Sequence, residues 1–196
     1  MTMEKIIEVR YASGSIRNYQ KDILSAELTE LFLPVSWIEH AGGSTGMYNA
    51  EGYRPVTEMF GFGVKRKNGA DIAYSLSGYV ISVIGAAMEA ENRYLFPEDY
   101  DISPELVYAR VDAESLYSAK LIWKSALTHS PEKNTAWRFS EGLKSLFGLP
   151  ACRNADDPDG YIASMVRILS EDHPGLAALY SRIDGFRKSI QFSRNH

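Results

Sequence analysis

Gly42, Gly43, Ser44, Thr45 and Gly46 match G-x-S-x-G, the spacing in which a serine is thrust out on a strained turn to act as a nucleophile. That chemistry needs a strand before the serine, a helix directly after it, and an acid and a histidine within reach. A strand over residues 35–39 meets the first condition. The second fails, because Asn49, Gly52 and Pro55 follow with no helical apolar stripe, and the chain lacks the alternating strand and helix order of a parallel sheet. Asp156, Asp157, Asp159 and His173 are available as partners, but nothing in their spacing selects them. Residues 40–53 therefore read as a loop. A small hydrolase or phosphate-ligand enzyme on Gly42–Gly46 stands as an alternative, with the glycines forming an anion-binding nest of backbone N–H groups. The Gly-Lys-Ser/Thr ending of a P-loop is missing.

Metal and redox chemistry find little support. His40, His129, His173 and His196 show neither His-x-x-x-His nor Glu-x-x-His spacing. Asp156, Asp157 and Asp159 resemble the start of a calcium loop, but the closing glutamate is absent and Pro158 intrudes, so helix capping is the better account. The single Cys152 excludes an intramolecular disulfide and any multi-cysteine zinc site, and suits a reducing compartment. We expect no metal and no cofactor.

Two surfaces remain. Residues 71–130 carry 4 basic and 9 acidic side chains, against a net charge of −4 for the whole chain. Glu98, Asp99, Asp101 and Glu105 there alternate with Tyr94, Tyr100 and Tyr108. Carboxylates that steer a basic partner, beside aromatic rings that anchor it, are the chemistry of a protein-binding face. Arg167, Arg182, Arg187 and Lys188 toward the C-terminus suit phosphate contacts, although Glu171, Asp172 and Asp184 interleave. The leading expectation is a non-enzymatic protein-binding protein, an inhibitor, regulator or subunit of an assembly, whose partner presents a basic surface. The alternative is a factor that meets nucleic acid, directly or through a complex, although a pI near 5.6 argues against a coat for it.

The elements that must carry these residues read as α+β. Residues 5–19 suggest a hairpin turning at Ser13-Gly14, residues 25–32 a helix capped by Ser25, and residues 35–39 a strand. Asn68-Gly69 marks a second hairpin, with strands over 58–65 and 70–76. A central helix over residues 78–94, capped by Ser77, packs on the small antiparallel sheet so formed. Residues 96–104 read as an exposed acidic loop. A C-terminal array of helices follows over 111–129, 135–147, from Asp157, and from Asp172 or His173. The chain reads as a single domain over 1–196, with a subdivision into 1–96 and 105–196 in view. The apolar run of the central helix is too interrupted to span a bilayer. The N-terminus lacks a secretory signal, so we expect a cytoplasmic protein without membrane contact.

Overall fold

The computed structural model describes residues 5–62, 68–111, 117–126 and 135–194. It is α+β, with two three-stranded antiparallel sheets and a predominantly helical C-terminal part.

The first sheet contains β1 (Ile6–Ala12), β2 (Val35–His40) and β3 (Gly43–Asn49), in the order β1-β3-β2. Strand β1 therefore does not pair with residues 16–19. Its partner is β3, with Ile6 opposite Asn49 and Ala12 opposite Gly43. After the Ser13-Gly14 turn the chain enters α1 (Asn18–Ser25), where the Arg17 N–H donates to Gln20 Oε1 at 2.9 Å. Ser25 thus closes a helix instead of capping one. Leu28 lies outside it and is exposed, while Leu31 and Phe32 are buried as expected.

The largest correction falls on residues 40–53. Most of this stretch is the central strand of the sheet. Ser44, Gly46 and Tyr48 face inward in strict alternation, which is the strand period. The inward Gly46, and Gly43 at the start of the strand, are small for a structural reason. A Cβ on Gly46 would lie 2.9 Å from the Tyr48 ring and 3.1 Å from Trp37, so glycine lets the aromatic rings close over β3. Gly43, at φ 144°, has the Tyr11 carbonyl oxygen 2.0 Å from where a Cβ would be.

The second sheet, in the order β4-β5-β6, joins β4 (Arg54–Pro55), β5 (Val107–Val111) and β6 (Tyr117–Leu121). Residues 117–121 are thus a strand and not part of a helix over 111–129. Ala119 and Leu121 are buried with half-buried Lys120 between them, the two-residue spacing of a strand. Residues 112–116 and 127–129 of that expected helix lie outside the described residues. The two sheets are stitched together: the Leu33 N–H donates to the Leu121 carbonyl at 2.9 Å, and the Leu121 N–H to the Leu31 carbonyl at 2.7 Å.

Asn68-Gly69 is a helix start and not a hairpin turn. Asn68 Oδ1 accepts from the Ala70 N–H at 2.9 Å and caps α3 (Gly69–Glu91), while residues 58–59 belong to the one-turn helix α2 (Val56–Met59). Residues 63–65 of the expected strand lie outside the described residues. Ile72, Leu76, Tyr79, Val80, Val83, Ile84 and Ala87 are all buried, so the helical stripe extends two turns further toward the N-terminus than the Ser77 cap implied. Ser77 is an interior residue whose hydroxyl donates to the Tyr74 carbonyl. By length and composition α3 could cross a membrane, but it packs against β6, α6 (Tyr161–Ser170) and α7 (Leu176–Arg194) as a core helix.

The C-terminal part follows the expected stripes. Helix α4 (Thr135–Lys144) buries Ala136, Phe139 and Leu143. The preceding turn stops at Gly148, and Pro150 opens the one-turn α5 (Pro150–Arg153). Asp157 caps α6, its carboxylate accepting from the N–H groups of Tyr161 and Ile162 at 2.9 Å each. One hydrophobic core runs through the parts before and after Pro97.

Candidate functional site

Helix α3 ends at Glu91, and the chain then turns inward and outward at successive positions. Tyr94 adopts φ 59° and stands 70% exposed, Leu95 is buried, Phe96 is exposed, and Pro97 is buried. Tyr100 is only 3% exposed. Its ring meets Phe32 edge-on at 5.2 Å between centroids, Trp123 at 5.6 Å and Phe139 at 6.3 Å. The reading of residues 96–104 as an exposed loop with Tyr100 as a surface anchor is therefore corrected: these three aromatic contacts hold the ring in the core. Tyr108 is buried as well. Glu98, Asp99 and Asp101 are half-buried and Glu105 is exposed, so the acidic face keeps its carboxylates. Its accessible aromatic rings are Tyr94 and Phe96.

The electrostatics of this corner reflect crowding of like charge. Burial, and then the neighbouring Glu98, raise the Glu91 carboxyl above its ordinary range. Burial, followed by Glu91, Glu98 and Asp99, pushes the Tyr100 phenol well up. Beside Glu91 lies a groove of about 460 Å³ walled by Met88, Ala136, Pro174, Leu176 and Ala177. Periodicity could not reveal it, since α3, α4 and the approach to α7 each supply part.

The glycine stretch does not form a nucleophile site. Ser44 is 1% exposed within a central strand, and no helix follows it. Gly43, Ser44, Thr45 and Gly46 are paired with β1 on one side and β2 on the other, so their N–H groups cannot converge on one anion. Gly42 sits in the tight turn before β3. His40 Nε2 lies 3.3 Å from Thr45 Oγ1, and His173 Nε2 donates to the Ile168 carbonyl at 2.8 Å. These two histidines sit at opposite ends of the fold's sequence in unrelated settings. Among the described residues no three His, Cys, Asp or Glu side chains gather where a metal could bind. Cys152 is interior, and burial raises its thiol to about 12.

The basic set disperses. Arg187 packs its guanidinium 4.0 Å from the centroid of the Tyr74 ring and 5.1 Å from that of Tyr117, which makes it a packing residue. Arg182 pairs with Glu171 at 3.5 Å and Lys188 with Asp184 at 2.6 Å. Arg167 alone of the four is exposed on α6 without an ion pair among the described residues.

No protein-family model and no curated protein matches the sequence. Among solved structures, the chain is similar in fold to the kinase domain of PknI from Mycobacterium tuberculosis, solved as a double mutant. The TM-score is 0.56 at 13% identity, over 87% of this chain and 76% of that one. A second match, the cytoplasmic fragment of EssB from Staphylococcus aureus, has a TM-score of 0.39 at 12% identity, over 96% and 98% of the two chains. The first likeness shows a kinase-like fold and nothing finer. Phosphoryl transfer in kinases uses a G-x-G-x-x-G loop over the phosphates, the lysine of V-A-I-K, the H-R-D catalytic loop and the metal-binding aspartate of D-F-G. None of these four strings occurs in the sequence.

Proposed function

We propose that the chain is a non-catalytic, kinase-like module that works in the cytoplasm by binding another protein, as a regulator or as a subunit of an assembly. The observation that carries this reading is the kinase-like fold combined with a sequence that holds none of the four kinase signatures. The contact face is the corner after α3, where Tyr94 and Phe96 are exposed among Glu91, Glu98, Asp101 and Glu105. Exposed aromatic rings within a rim of carboxylates support a partner with a basic surface. A single cysteine, Cys152, left free of any disulfide supports action in a reducing compartment.

A photo-crosslinking residue placed at Tyr94 in the host, with one at exposed Tyr19 as control, tests this reading. A partner crosslinked from Tyr94 and not from Tyr19, whose affinity for the purified chain falls at least tenfold on joint Tyr94→Ala and Phe96→Ala substitution, supports it. Equal labelling from both sites, or saturable Mg-ATP binding with turnover, overturns it.

A further inference from the structure

We infer that the groove between the end of α3 and the start of α7 receives a lysine or arginine side chain of the partner, its aliphatic stem on Met88 and Leu176 and its charged head at Glu91. This deepens the protein-binding reading and rests on it.

Among the described residues the groove's walls are apolar apart from one charge, the carboxylate of Glu91. No basic side chain lies within ion-pair distance of Glu91 among the described residues.

Three classes of occupant can be weighed. An anion is repelled by Glu91 itself and by Glu98, whose charge adds to burial in raising the Glu91 carboxyl. A wholly apolar side chain would desolvate Glu91 and give it no counter-charge, which is costly. A lone metal ion finds fewer than three ligating side chains among the described residues. A long cationic side chain meets both demands: its methylenes cover the apolar wall while its head neutralises Glu91.

The test uses the full chain carrying ¹³C-methyl methionine and three acetylated, amidated peptides, Ala-Leu-X-Leu-Ala, with X lysine, norleucine or glutamate. At low ionic strength the lysine peptide should shift the Met88 methyl resonance saturably, and the norleucine and glutamate peptides should bind at least about tenfold more weakly. Glu91→Gln should weaken the lysine peptide by about tenfold or more with an unchanged unfolding midpoint, while Glu8→Gln on β1 should leave its affinity unaltered. Equal shifts from the lysine and norleucine peptides, no shift at all, or undiminished binding to Glu91→Gln would overturn the inference. Any of those results beside a retained Tyr94 crosslink removes this seat and leaves the protein-binding reading standing. A lost crosslink beside an intact lysine-peptide response removes the Tyr94 corner instead.

Discussion

The Tyr11 hydroxyl donates to the Trp123 carbonyl oxygen at 2.6 Å and lies 2.6 Å from the Tyr48 hydroxyl, tying β1 to the segment after β6 across 112 positions of sequence. Tyr11→Phe keeps the ring and deletes this junction. The carbonyl and the Tyr48 hydroxyl are then each left one partner short in the interior, which costs about 1–3 kcal/mol. Urea unfolding should show a lower midpoint at an unchanged slope. An unchanged midpoint would mean that the junction contributes nothing.

The same phenol predicts an alkaline limit. Burial raises Tyr11 from its ordinary 10 to about 12, and pushes Tyr48 and Tyr100 well up. The unfolded chain therefore releases these protons first, so stability is fully present below pH 10 and falls as pH rises toward 12. Tyr11 alone contributes about 2–3 kcal/mol to that loss. Absorbance of ionised tyrosine should rise together with the loss of folded signal. Full ionisation of all tyrosines with the fold intact would contradict this.

Asn68 reports directly on helix against hairpin. Asn68→Ala should destabilise by about 0.5–2 kcal/mol, and Asn68→Asp should retain most of the stability because its carboxylate still accepts from the first turn. Gly69→Ala should be worse than either, since its Cβ would fall 2.3 Å from the carboxylate of Asp157, the cap of α6. Thermal unfolding of the three variants gives the ranking.

Arg187 separates packing from nucleic-acid contact. Arg187→Ala loses the stack on Tyr74 and Tyr117 and the Nε bond to the Tyr74 carbonyl at 3.4 Å, and should cost about 1–2 kcal/mol. A fall in unfolding midpoint is expected. An unchanged midpoint together with salt-sensitive DNA binding that the substitution abolishes would restore the surface reading.

What the sequence disclosed depended on how local the cause was. Phe139 and Leu143 in α4, Ile162, Met165 and Leu169 in α6, and the Asp157 cap are all set by neighbours within one or two turns, and their spacing showed it. Strand β3 was hidden because Ser44 and Gly46 take inward positions where large apolar residues are expected, and the rings of Tyr11, Trp37 and Tyr48 supply the missing bulk. Asn68-Gly69 suits a tight turn and a helix start equally, and the long apolar stripe beyond it decided the matter. Tyr100 looked exposed because its neighbours in sequence are charged, while Phe32, Trp123 and Phe139, which bury it, are remote.

The order β1-β3-β2 and the stitch between Leu31, Leu33 and Leu121 also dictate when the protein can fold during synthesis. The middle strand leaves the ribosome after both of its flanking strands, and the Leu31 carbonyl and the Leu33 N–H lack their native partner until Leu121 emerges. Such distant pairings raise contact order and delay closure until most of the chain is made. A nascent chain arrested before β6 should be cut readily by protease around residues 28–33, and one arrested well beyond residue 126 should resist.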